Sequence, residues 1–77
     1  MNVYVGNLSP QTSLSTLRGS FEIFGTVANA TISTYIINGI PRSLGVIEMP
    51  SRANGQAAIA GMQGKELSGN LLKVHEG

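Results

Sequence analysis

Val3-Tyr4-Val5-Gly6-Asn7-Leu8 is the stretch from which the rest of the chain can be read. From Met1 to Gly6, the apolar residues Val3 and Val5 alternate with Asn2, Tyr4 and Gly6. That is the two-residue period of a half-buried strand. Asn7 to Gln11 then reads as a loop, and Thr12 or Ser13 offers a side-chain oxygen to cap a helix. Leu14, Leu17, Phe21 and Phe24 recur at spacings of three, four and three, which places all four on one helical face directed at a core. Gly25 follows and suits the left-handed position at a helix end.

Further along, Val27 to Ile37 is rich in β-branched residues and is expected to be a strand. Asn38-Gly39 is a strong two-residue hairpin signal. Arg42 to Met49 has strand character and is closed by Pro50. Ser51 caps a second helix running to about Gln63, with Ala57, Ala58, Ile59 and Met62 as its apolar side. Gly64 ends it, Lys65 to Gly69 turns, and Asn70 to His75 forms a last strand with Leu72 and Val74 facing inward. The order strand, helix, strand, strand, helix, strand predicts an α+β fold, a ferredoxin-like βαββαβ sandwich. Its four-stranded antiparallel sheet carries two helices on one face, in a single domain spanning residues 1–77.

Composition bounds the function. The 77 residues hold five basic and four acidic side chains, a net charge of +1, with 42% hydrophobic and only 12% charged residues. Disorder is excluded, because it requires high charge and low hydrophobicity. One small core is the expectation for this length. Without cysteine there is no disulfide framework and no thiolate site. No apolar run approaches a membrane span and no signal peptide is evident, so a cytoplasmic, disulfide-free domain without membrane contact is expected. Enzyme chemistry finds no purchase either. Asp is absent, the four Glu residues are scattered at 22, 48, 66 and 76, and no nucleophile–base or carboxylate pair follows from spacing. His75 and Glu76 lack a third metal ligand in sequence, and Gly6-Asn7-Leu8-Ser9 lacks the further glycines and lysine of a phosphate loop. No cofactor is expected.

The pieces taken together resemble the RNA-recognition motif family, and in particular its small single-domain bacterial members. Val3-Tyr4-Val5-Gly6-Asn7-Leu8 matches the family's hexapeptide at every position. Phe21 with Phe24-Gly25 resembles the end of its first helix, and Gly55-Gln56-Ala57-Ala58-Ile59-Ala60 resembles its second. Gly69 to Glu76 resembles its last strand. The octapeptide departs: the family pattern Lys/Arg-Gly-aromatic-Gly/Ala-aromatic-Val-x-aromatic is here Arg42, Ser43, Leu44, Gly45, Val46, Ile47, Glu48 and Met49. The resemblance implies that Tyr4 and the positions of Leu44 and Val46 point out of one sheet face, so one of three stacking platforms remains. Base stacking contributes ~1–3 kcal/mol per base, so losing two rings removes roughly 2–6 kcal/mol of affinity if the effects add.

Two readings of function follow. In the first, the sheet face binds single-stranded RNA or DNA, weakly and with strong salt dependence. Tyr4 stacks a base, Leu44 and Val46 give apolar contact, and Asn7, Arg42 and, as minor candidates, Lys73 and His75 serve backbone or base edges. Each has a plainer alternative. Tyr4 is a half-buried strand aromatic, Asn7 bonds its own loop backbone, and Arg42 is a solvated charge beside the hairpin. A one-residue register slip would bury Leu44 and Val46, although Gly45 between them argues against it. In the second reading the chain is a protein-interaction or self-associating module, natural or engineered. Its candidate patch is Tyr35, Ile36, Ile37, Ile40, Leu44 and Val46, apolar where the family's hairpin is often charged. A variant with the fold alone and no ligand is the third and blandest possibility.

Overall fold

The computed structural model describes residues 1–77. Strand β1 is Asn2–Leu8, helix α1 Leu14–Glu22, β2 Asn29–Ile37, β3 Ile40–Glu48, α2 Arg52–Met62, β4 Glu66–Leu67, β5 Asn70–Leu71 and β6 Lys73–Glu76. The main sheet is antiparallel in the order β2-β3-β1-β6. Helix α1 packs on β2 and β3, and α2 on β6 and β1, so both cover one face. This is the ferredoxin-like arrangement expected from the element order.

The alternation of β1 works as its sequence implies. Val3 and Val5 are fully buried, and they meet Leu17, Phe21, Ile47, Ala58, Met62, Leu72 and Val74 in one core between sheet and helices. The phase of β3 is also fixed: Ser43, Gly45, Ile47 and Met49 face inward, whereas Leu44 and Val46 are half-buried on the other side. The slipped register is therefore absent. Gly45 shows why, since a Cβ there would lie 2.7 Å from a Leu17 methyl and 3.0 Å from one of Leu8. Only a bare backbone leaves those two leucines room.

Helix α1 starts where Ser13 accepts a hydrogen bond from the Thr16 N–H at 3.1 Å, so Ser13 rather than Thr12 is the cap. It ends earlier than the apolar spacing suggests. Phe24 lies beyond the last helical residue yet still packs on the core, its N–H donating to the Phe21 carbonyl in a tightened turn. Leu14 departs from the expected core: in the first turn it projects away from the sheet and is 45% exposed. The Asn38-Gly39 turn has φ of 53° and 77°, the left-handed pair that a two-residue hairpin needs. It pairs Ile37 with Ile40, so β3 begins at Ile40 and includes Pro41. The segment read as a simple turn from Lys65 to Gly69 instead holds a second small hairpin. There β4 pairs with β5 across Ser68 and Gly69, again with positive φ.

Candidate nucleic-acid interface

One face of the sheet carries no helix, and strand register shows what it displays. Tyr4 lies on the interior strand β1, opposite Val46 of β3 and opposite His75 of β6. Val46 is in turn opposite Thr31 of β2. Thr31, Val46, Tyr4 and His75 thus form one row across all four strands. Next to it, Ser33 pairs with Leu44, and Gly6 with Lys73. Beyond these, Tyr35 pairs with Arg42 and Ile37 with Ile40 on the hairpin arm. Asn29, Glu48 and Asn2 make the row at the other end.

The Tyr4 ring is set by its neighbours. Its centroid is 5.7 Å from that of His75, with the two planes at 88°, an edge-to-face contact. The main chain of Gly77 also lies against the ring, held by its N–H donating to the Asn2 carbonyl at 2.9 Å. A Cβ on residue 77 would stand 2.6 Å from the ring's Cζ, so glycine allows the chain to pass there without a side chain covering the ring.

Charge is sorted between the faces. Arg18 pairs with Glu22 at 3.3 Å and also donates to the Val27 carbonyl, while Arg52 pairs with Glu76 at 3.1 Å. Both ion pairs are rooted on the helices. Arg42 and Lys73 have no acidic partner and stand on the open face, where Glu48 is the sole acidic residue. A chain of net charge +1 therefore presents two unpaired cations where a ligand would lie.

The sequence-derived candidates divide accordingly. Tyr4, Leu44, Val46, Arg42, Lys73 and His75 are brought together on the open face. Asn7 is not available in the same way: its side-chain amide donates to the Leu71 carbonyl at 2.8 Å, and its own carbonyl accepts from the Asn70 amide at 3.2 Å. With φ of 59°, it lies in the irregularity between Val5 and Leu8 within β1, and its hydrogen bonds tie that strand to β5. Of the apolar patch, Tyr35, Ile37, Ile40, Leu44 and Val46 share the open face. Ile36 does not: alternation places it opposite Pro41, on the helix side of the sheet but out on the arm, where it is 72% exposed. Thr31 and Ser33 went unremarked in the sequence, yet both stand on the open face beside Val46 and Leu44. The two-residue turn already implied this, because closing Ile37 onto Ile40 fixes every pair further down the hairpin.

Comparisons agree with this geometry. The chain matches the RNA recognition motif family over residues 3–73. A protein of Nostoc sp. (strain PCC 7120), "Putative RNA-binding protein RbpA", is 41% identical over 76 residues, which cover 99% of this chain and 74% of that one. The Synechocystis sp. (strain PCC 6803) protein of the same name is 36% identical over 76 residues, covering 99% and 75%. Among solved structures, RNA Binding Protein PG1 superposes with a TM-score of 0.87 at 32% identity, over 100% of this chain and 93% of that one. The Rna15 RRM with bound RNA (GU) has a TM-score of 0.78 at 19% identity, over 99% and 81%, and shares the fold. By sequence, register and superposition, this chain belongs to the RNA recognition motif family.

Proposed function

We propose that the chain binds single-stranded RNA across the open sheet face, with Tyr4 as its central stacking platform. The observation that carries this is the row Thr31–Val46–Tyr4–His75, flanked by the unpaired Arg42 and Lys73. A base stacks on Tyr4, Leu44 and Val46 supply aliphatic contact, and the two cations meet phosphates. Binding is weak, because aliphatic side chains replace two rings that would each contribute ~1–3 kcal/mol. Two phosphate contacts at about 0.7 each give a log–log salt slope near −1.4, shallower than the strong dependence expected from the sequence. Single-stranded DNA is bound by the same contacts, less those to the ribose hydroxyl.

The test is a fluorescence anisotropy titration with short mixed-sequence RNA at low salt. Tyr4→Ala is expected to weaken binding by about 1–3 kcal/mol, roughly 5- to 150-fold, while leaving the thermal transition in place. No binding at high micromolar protein, or equal affinity with and without the ring, would overturn the proposal. A second reading has one observation in its favour: Tyr35, Ile37 and Ile40 are each about half exposed and continue the apolar strip of Leu44 and Val46. In that reading the face docks an apolar protein surface, by an association insensitive to salt and abolished by Leu44→Asp.

A further inference from the structure

The sheet has two edges, and they are built differently. Along the β6 edge, the outward main-chain groups of Leu72, just before the strand, and of Val74 are occupied, and only those of the charged Glu76 are left. The Gln63 side-chain amide donates to the Val74 carbonyl, and its oxygen accepts from the Val74 N–H at 3.0 Å. The Leu72 N–H donates to the Lys65 carbonyl at 2.8 Å, and the Leu72 carbonyl accepts from the Gly64 N–H at 3.1 Å. The strand is four residues long and carries Lys73 and Glu76. Short length, charge and capping are the usual protections of a sheet edge.

The β2 edge has none of them. Asn29-Ala30-Thr31-Ile32-Ser33-Thr34-Tyr35-Ile36-Ile37 is nine residues long, contains no charge and no proline, and pairs with β3 without a bulge. Because a two-residue turn makes Ile37–Ile40 a hydrogen-bonded pair, the odd-numbered residues of β2 bond to β3. The even-numbered ones turn their N–H and carbonyl groups outward. Pro41, which has no N–H to give, faces Ile36 in a non-bonded pair, as this parity requires. Ile32, Thr34 and Ile36 therefore present three N–H and three carbonyl groups, those of Ala30 point the same way from a residue only 6% exposed, and no hydrogen bond outside the β2–β3 ladder reaches the main chain of β2.

We infer that two copies of this chain associate by antiparallel pairing of β2 with β2. The occupant is argued from self-complementarity. An uncharged strand meets no repulsion from its own copy, and antiparallel pairing about a two-fold axis satisfies all eight groups at once in a single register, centred on Ser33. In that register Ile32 bonds to Thr34 of the second copy and Ala30 to Ile36. Ile36, 72% exposed beside Pro41 in its own chain, comes to lie beside Ala30 of the second copy. The axis is perpendicular to the sheet, so the result is one eight-stranded sheet with both open faces on the same side. The two Tyr4 rings lie five strand spacings apart across the sheet and roughly 13 Å apart along it, about 27 Å in all. The β6 edges, short, charged and capped at Leu72 and Val74, stop the assembly at two copies.

Single-cysteine variants of the full chain, which has no cysteine of its own, test this without any oligonucleotide and so independently of the RNA reading. Ser33 meets itself across the axis in a non-bonded pair, with Cα atoms about 4.5 Å apart, within the range of roughly 4.4–6.8 Å that a disulfide spans. Thr31, on the same face, meets Tyr35 instead, and its own counterpart is roughly 13 Å along the strand. Under mild oxidation Ser33→Cys is expected to form a covalent dimer at least ~10-fold faster than Thr31→Cys. Sedimentation of the unmodified chain is expected to show a dimer fraction rising with concentration. Ser33→Lys, which sets like charges face to face, and Thr34→Pro, which removes an outward N–H that an edge strand can spare, are expected to return it to monomer with the fold retained. If Thr34→Pro fails to fold, Ser33→Lys alone decides. Equal crosslinking of the two cysteine variants, a ladder of oligomers beyond the dimer, or a chain that stays monomeric at millimolar concentration would each overturn the inference.

Discussion

The two faces of the sheet are made from alternate residues of the same strands, yet they follow different rules. The helix face keeps large apolar side chains, with Val3, Val5, Ile47 and Met49 packed against Leu17 and Phe21 of α1, all fully buried. Each touches several others, so a change in any one leaves a void or an overlap. The open face carries Asn2, Tyr4, Gly6, Thr31, Ser33, Leu44, Val46, Lys73 and His75, whose neighbours are mainly their cross-strand partners. Replacing a ring by Leu44 or Val46 there costs the fold little. The lesson is that packing constrains one face collectively, while the other can lose its chemistry residue by residue and the scaffold still stands.

The comparison breaks most visibly at Phe21, the largest fully buried side chain. Phe21→Ala is expected to destabilise by about 3–5 kcal/mol, a large share of the ~5–15 kcal/mol that a domain holds in total. Chemical denaturation measures it. The opposite change on the open face is the next largest effect. Leu44→Phe combined with Val46→Phe is expected to strengthen RNA binding by about 1–3 kcal/mol for each ring that engages a base, read by anisotropy, with the denaturation midpoint close to that of the unchanged chain. A tighter complex without any shift in stability would confirm that the faces are separable.

Gly45 sharpens the comparison, because it lies between those two positions in sequence but on the other face. Gly45→Ala pushes a methyl into Leu17 and Leu8 and is expected to cost about 1–3 kcal/mol of stability, with RNA affinity unchanged at temperatures where the protein is folded. The smallest effect belongs to the helix-side ion pair. Arg52→Ala is expected to change stability by ~0–1 kcal/mol, since the pair is largely exposed. The salt slope of RNA binding should not move, because Arg52 is not on the open face.

Much of this was legible along the chain. Alternation in Val3-Tyr4-Val5 placed β1, the apolar spacing of Leu17, Phe21 and Phe24 placed α1 against the core, and Asn38-Gly39 marked the hairpin. These signals are local, each contained within a few residues. Leu14 was misplaced because a first-turn residue can satisfy helical spacing and still project past the edge of what the helix covers. Ile36 was grouped with the open face because composition alone carries no parity. The pairing of β4 with β5 across the Ser68-Gly69 turn was missed because two-residue strands give no period to detect.

The sequence by itself determined the order of elements, the pairing of β2 with β3 and the alternation within β1, since each depends on neighbours within a few positions, whereas the phase of β3 was settled by its packing on Leu8 and Leu17. Only the tertiary structure decided how the remaining polar groups are used. Asn7 is bound to Leu71 across 64 positions of sequence, and Gln63 caps Val74 across 11. Arg18 and Arg52 are neutralised on the helix side, leaving Arg42 and Lys73 for the open face. The physical reason is that hydrogen bonds and ion pairs act over a few ångströms, and which groups come that close is set by where the packed helices and sheet carry them.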